Sequence, residues 1–312
     1  MTRYPYRKLG VLFAGESRLA AVVLRRRGDG YDAEKSATIH LKTNLVGDPP
    51  EVVADELGDH LHSHRLTVRH WLVCVPPSWQ FSDAVSVPDV SVEDAAEYLW
   101  LQAEQRLGLT GEQVELSVSR YDGADFGVSA TLFAVKRDRL EQLRKVFAAA
   151  GLHVAAFAPA VVTAVAREGA DVDVALQVHG DGTVMQVSGC GGIVTLRDIP
   201  AAIPAEASAL AEVLASQLRI SVAALPEAVR QRIRAVRIFG REDQVTALVR
   251  AWTATPVLGQ GGLSVEKGAS PGTPCERSAV AAVQVLRDGV LTPFEAKRDE
   301  RPRSDWRRRA VR

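Results

Sequence analysis

The chain has 312 residues, 46% hydrophobic and 24% charged, with 38 basic and 38 acidic side chains and a formal net charge of zero. That length fills about two domains, and the apolar content excludes disorder over the whole chain. The charge balance argues against a generally basic nucleic-acid coat, and no stretch reaches the ~18 uncharged apolar residues of a membrane span.

The N-terminus places Arg3, Arg7 and Lys8 ahead of a short apolar run without a signal-cleavage pattern. Residues 9–13 and 19–24 read as strands separated by the turn-like Gly15-Glu16-Ser17, and residues 36–41 as a third strand after Gly28-Asp29-Gly30. In residues 51–64 Val53, Leu57 and Leu61 recur at spacing four, one helical stripe. Residues 71–75 form a short apolar strand stopped by Pro76-Pro77. A helix is expected over 91–107. Ser91 caps it, Glu93 and Asp94 sit in its first turn, and Val92, Ala96, Leu99, Ala103 and Leu107 form its apolar face before Gly108. Strands over 114–120 and 128–135 follow, then a helix from about 138 to 151, a strand over 152–157 and a small-residue helix over 159–168.

The second half repeats that order. Strands are expected over 174–178, 183–187 and 193–199, with Gly180-Asp181-Gly182 and Gly189-Cys190-Gly191-Gly192 between them. Helices over 204–220 and 226–233, a strand over 236–239, a helix over 244–252 and a strand over 255–258 come next. Residues 259–274 are rich in Gly, Ser and Pro and read as a loop, and residues 278–287 as a last helix. Both halves thus open with three meandering strands, then helix and strand, as expected of two similar α/β lobes facing one another across a cleft.

The neutrality of the whole conceals a split. Residues 296–312 hold eight basic side chains (Lys297, Arg298, Arg301, Arg303, Arg307, Arg308, Arg309, Arg312) against Asp299, Glu300 and Asp305, a net +5, so the rest carries −5. Trp306 beside three arginines suits an anionic membrane surface, where each cation is worth ~1 kcal/mol. A disordered solubilising tail is the plainer alternative, and tail-mediated nucleic-acid binding is disfavoured by the acidic body.

Other polar groupings carry less. Glu56, His60 and His64 would share one helix face, but a solvated helix end explains them without a metal. The three cysteines, Cys74, Cys190 and Cys275, are widely spaced and odd in number, forming neither a disulfide framework nor a zinc knuckle. Neither Cys74 nor Cys190 has a sequence-adjacent basic partner. On the helix over 91–107, Tyr98, Trp100 and Leu101 fall off the expected buried face and form a candidate partner-binding stripe.

Three stretches carry a family resemblance. Val87-Pro88-Asp89 leads into the acidic helix, and Ala130-Thr131-Leu132-Phe133-Ala134-Val135 precedes a helix ending in Ala149-Ala150-Gly151-Leu152. Thr195-Leu196-Arg197-Asp198-Ile199 ends a third strand in the second half, and Leu291-Thr292-Pro293-Phe294-Glu295-Ala296-Lys297-Arg298 leads out of the last helix. In this order they resemble the actin-like cytoplasmic proteins of type IV pilus and type II secretion inner-membrane platforms, the PilM-type proteins and the cytoplasmic part of the GspL-type proteins.

The resemblance implies a two-lobed α/β actin-like fold of duplicated RNase H-like β-β-β-α-β units. The expected divisions are a first lobe over 1–168 with an inserted subdomain over about 85–150, a second lobe over 169–292, and a juxtamembrane-type tail over 293–312. It also implies two phosphate-cradling hairpins, each preceded by a strand aspartate that would bind Mg²⁺ through water. Here those aspartates align with Leu12 and Gln177, so Gly15, Gly180, Asp181, Gly182, Thr183 and Gly240 are left as a degenerate nucleotide cleft. No cofactor, no metal and no ATPase activity are expected; a nucleotide-binding ATPase or sugar-kinase relative is the alternative. The implied role is a cytoplasmic scaffold at the inner membrane that binds the assembly ATPase and platform subunits, not nucleic acid, and a homodimer is compatible with it. Lys297, Arg298, Arg301, Arg303, Trp306, Arg307, Arg308 and Arg309 would face the membrane. The resemblance leaves two arrangements for the membrane part: a span beyond Arg312, or a separate subunit.

Overall fold

The computed structural model describes residues 6–108, 110–122, 127–165, 171–179, 182–199, 207–253, 264–268 and 272–296. Its first sheet grows from β1 (Lys8–Phe13), β2 (Arg18–Arg27) and β3 (Gly30–His40), which run antiparallel to one another. Gly28, at φ 57°, takes the left-handed turn conformation between the long strands. Helix α1 (Pro50–Ser63) starts with a proline in its first turn and buries Val53, Leu57 and Leu61. It ends in a Schellman turn, where Leu66 N–H bonds to Leu61 O and Arg65 N–H to His62 O, with Arg65 in the left-handed region at φ 56°. Strand β4 (His70–Val75) pairs parallel with β1. Trp71 is fully buried there, and its ring fills the space a side chain at Gly10 would need.

After the 3-10 turn Pro77–Trp79, strand β5 (Gln80–Ser86) leaves the first sheet. With β6 (Val114–Asp122) and β7 (Val128–Lys136) it makes a separate antiparallel sheet, covered on one face by α2 (Val92–Leu107). Ser91 caps α2 by accepting the Asp94 N–H, and Gly108 ends it in the left-handed conformation. The insertion thus spans 80–136, against the expected 85–150. Helix α3 (Arg137–Ala149) packs back on α1, and β8 (His153–Pro159) adds a fifth strand beside β4.

The second sheet repeats the first. Strands β9 (Val172–Val178), β10 (Thr183–Gly189) and β11 (Gly192–Ile199) form the meander. Cys190 and Gly191, both at positive φ, make the two-residue β10–β11 turn. Helices α4 (Ala207–Ala223) and α5 (Glu227–Arg230) lead to β12 (Ile233–Phe239), α6 (Glu242–Thr253) and β13 (Ser264–Lys267). The strand orders, β3-β2-β1-β4-β8 and β11-β10-β9-β12-β13, are the same topology twice, and this duplication is the two-lobed α/β fold expected from the sequence.

Several expectations are corrected. Residues 160–165 form no helix, because Gln186 Oε1 takes the Val162 and Thr163 amides that a helix would pair within itself. The loop expected over 259–274 contains β13, held by parallel pairing with β12. The last helix, α7 (Pro274–Arg287), follows the second sheet in sequence but packs on β2 and β3 of the first lobe. The chain then returns to the inserted sheet, where β14 (Glu295–Ala296) pairs with β6, so the tail does not begin at 293. The strand expected over 255–258 lies outside the described residues.

A buried polar seam joins the insert to its surroundings. Ser119 Oγ accepts the Ile193 N–H of β11 and donates to Val290 O, both at 2.8 Å. Thr131 Oγ1 donates to Val194 O, and Ser117 Oγ to Thr292 O. Gly192 stands where any side chain would strike the Arg120 carbonyl of β6. These contacts hold one face of the insert and leave α2 on the other, outward face.

Candidate functional site

A cleft of about 1260 Å³ opens between the lobes. On the first-lobe side the chain turns at Gly15, whose Cα lies against the Arg18 carbonyl so closely that no Cβ fits. On the other side stand His179, Gly182 and Thr183 of the β9–β10 hairpin, with Arg241 and Asp243 at the start of α6. His179 N–H bonds to Gly182 O across that hairpin. The expected cleft residues Gly15, Gly182 and Thr183 are therefore brought together. Gly240 sits at the end of β12 with Val178 O 3.2 Å from where its Cβ would be. Gly180 and Asp181 lie outside the described residues.

Leu12 and Gln177 occupy equivalent places, each the penultimate residue of the first strand of its sheet. Leu12 is buried in the apolar core of the first lobe. Gln177 is also buried, and its Oε1 accepts a hydrogen bond from Ser278 Oγ at 2.7 Å. Glu16, Asp198 and Asp243 are the carboxylates lining the cleft among the described residues. Asp243 is bound by the Arg241 guanidinium, which with the Gln244 amide holds its pKa down to about 2.

Three successive residues of α7 tie the lobes together at the cleft. Glu276 completes a capping box with Thr273 and accepts Ser36 Oγ of β3 at 2.6 Å. Burial raises the Glu276 pKa, but hydrogen bonds from Ser36 and Thr273 outweigh it and leave the group below its ordinary value. The Arg277 guanidinium lies 5.1 Å from the ring centroid of Phe239 on β12, and Ser278 reaches Gln177. None of this set was singled out from sequence. The Thr273-Pro274-Cys275-Glu276 run, a helix-start signature with proline in the first turn, was the available signal. Thr183 Oγ1, at the cleft wall, is buried without a hydrogen-bond partner.

Tyr98 and Trp100 are half-buried and pack against the insert core of Val85, Leu99 and Leu132; of the expected stripe only Leu101, 49% exposed, faces out. Of the α2 alanines, Ala103 is buried as expected, and Ala95 is buried in place of the expected Ala96. Glu56, His60 and His64 do share one helix face, with His60 Nε2 3.9 Å from Glu56 Oε1 and the two imidazoles stacked at 6.5 Å. The Glu56 oxygens, however, accept from the Lys42 and Thr43 amides and the Thr43 hydroxyl, and no metal-binding group occurs among the described residues. Cys74 is fully buried and its pKa is raised by that burial. The eight tail residues expected at the membrane lie outside the described residues, and no described helix is long and apolar enough to cross a membrane.

The duplicated sheets, the cleft and the inserted subdomain define a two-lobed protein of the actin-like fold. A chain of the PilM–PilN type IV pilus biogenesis complex aligns with a TM-score of 0.64 at 13% identity, over 89% of this chain and 96% of its own length. The cytoplasmic domain of EpsL, an inner-membrane component of the type II secretion system of Vibrio cholerae, aligns at 0.53 and 12% identity, over 88% and 94%. The ethanolamine utilization protein EutJ of Carboxydothermus hydrogenoformans aligns at 0.50 and 11%, over 90% and 91%. No protein-family model and no curated protein sequence matches the chain.

Proposed function

We propose that the protein is a non-catalytic assembly scaffold on the cytoplasmic face of a type II secretion or type IV pilus inner-membrane platform. Its folded body binds the assembly ATPase and platform subunits, and its basic tail rests on the membrane. The observation that carries this reading is Gln177. In a fold whose nucleotide chemistry relies on carboxylates at the two phosphate hairpins, the second-lobe position holds a neutral amide committed to Ser278, and the first holds the apolar Leu12. Leu12 offers no oxygen to a hydrated Mg²⁺, and Gln177 offers none of the negative charge a carboxylate would supply. Calorimetric titration of the full chain with Mg-ATP should give no binding heat, while the cognate assembly ATPase should co-elute with it from a sizing column. Micromolar nucleotide binding would overturn the non-catalytic part.

One observation favours the alternative, a nucleotide-binding protein of the PilM type. Thr183 Oγ1 is buried at the cleft wall with no partner, a place where a phosphate oxygen could accept its hydrogen. The same titration, repeated with Thr183→Val, separates the readings, because only a true phosphate contact makes the substitution matter.

A further inference from the structure

The inserted subdomain is the most acidic part of the molecule. Residues 80–136 hold ten acids and three bases, a net −7 in a chain whose total is zero. It also carries four of the six large hydrophobic residues exposed among the described ones: Phe81, Val90, Leu101 and Val128. On the outward side of α2, Asp94, Glu97 and Leu101 fall on one helical stripe that continues Val90, and both acids are exposed. The seam at Ser117, Ser119 and Thr131 occupies the other face of the sheet, so α2 packs on β5 and β7 and presents this stripe outward.

The segment that complements this face belongs to the same chain. Residues 297–312 carry +5 and include one aromatic, Trp306. They begin directly after β14, the edge strand of the sheet that α2 covers. Crossing that sheet from β14 to β5 takes about 14 Å, three strand spacings of ~4.8 Å. The ten residues from 297 to Trp306 reach up to ~33 Å when extended. Tethering at so short a distance sets an effective concentration on the order of millimolar, so weak contacts suffice.

We propose that segment 297–312 docks on the outward face of α2, its cations beside Asp94 and Glu97 and Trp306 against Leu101, and that an anionic membrane competes for the same segment. The two docks are mutually exclusive, because the same cations and the same indole serve both. The contact would keep the tail covered until a membrane displaces it. Only the membrane half of this competition rests on the role proposed above for the tail.

The test uses the full chain with Arg308→Lys, which puts a reactive amine beside Trp306, and zero-length carbodiimide cross-linking mapped by mass spectrometry. Cross-links from that amine should concentrate on Glu93, Asp94 and Glu97, and should fall about tenfold between about 50 mM and 500 mM NaCl as screening tightens. Asp94→Asn with Glu97→Gln should also abolish the cross-link to the retained Glu93, whereas Asp55→Asn with Asp59→Asn on α1 should leave it. Cross-links spread evenly over the surface acids, or formed only between two copies, would overturn the proposal. Phosphatidylglycerol vesicles should remove the cross-links as the chain floats with them. Focused cross-links without flotation would sink the membrane reading and leave the α2 dock standing; flotation without focused cross-links would do the reverse.

Discussion

Ser278 Oγ on α7 donates to Gln177 Oε1 on β9 at 2.7 Å, joining a helix packed on the first lobe to the first strand of the second. The same hydroxyl lies 3.1 Å from Val162 O in the crossover between the lobes. A neutral hydrogen bond therefore joins the two lobes at the cleft. Ser278→Ala leaves both acceptors buried without that donor. It should cost about 1–3 kcal/mol, the usual penalty for an orphaned buried polar group. Urea unfolding of the variant should show a lower midpoint; an unchanged midpoint would mean that the bond contributes nothing to holding the lobes.

Gly10 tests how tightly the first lobe is packed. A Cβ there would lie 2.4 Å from two atoms of the Trp71 ring, which is fully buried and anchored by its indole N–H to Val68 O at 3.0 Å. Gly10→Ala forces the ring or β1 to shift, and overpacking of this kind costs about 1–3 kcal/mol. The expected result is a lower melting temperature that Trp71→Phe in the same chain partly restores.

Legibility in the sequence followed where each element's stability originates. Strands β1 and β4 are buried on both faces and show as apolar runs over residues 9–13 and 71–75, and α2 announces itself by Ser91 and Gly108. Strand β5 did not show, because only Val85 among its seven residues is buried and its place depends on pairing with β7. The allegiance of α7 to the first lobe is a matter of spatial packing after a long excursion of the chain, which no local pattern encodes. At the cleft, Leu12 and Gln177 were legible as an apolar and a neutral polar residue at the ends of their strands. The hydroxyl that bonds Gln177, Ser278, lies 101 residues further on and is identified only by the fold.

The packing of α2 sets different expectations for neighbouring residues. Tyr98 and Trp100 pack against the insert core, whereas Leu101 is half exposed. Tyr98→Ala with Trp100→Ala should therefore destabilise the protein by about 2–4 kcal/mol through lost burial and residual cavity. Leu101→Ala should stay within about 0.5 kcal/mol of the parent, as surface changes do. Thermal unfolding of both variants decides it. A double variant that melts like the parent would return these aromatics to the surface.

Tyr6 stacks on His70 at the base of the first sheet with ring centroids 4.3 Å apart, and His153 meets His70 edge-on at 5.2 Å. Burial lowers the His70 pKa, and the neighbouring His153 and Arg69 lower it further. Its Nδ1 is buried with no hydrogen-bond partner, so the folded protein offers nothing to an added proton. A histidine whose folded pKa is depressed binds protons more weakly folded than unfolded. Its contribution to stability is complete above the unfolded pKa of about 6.5 and is lost as pH falls through that value. Melting temperature should therefore decline between about pH 7 and pH 5.5, above the range in which the depressed carboxylates Glu56 and Glu276 begin to titrate. His70→Phe, which keeps the ring stack and removes the titration, should flatten that decline; a slope identical to the parent's would assign it to another group.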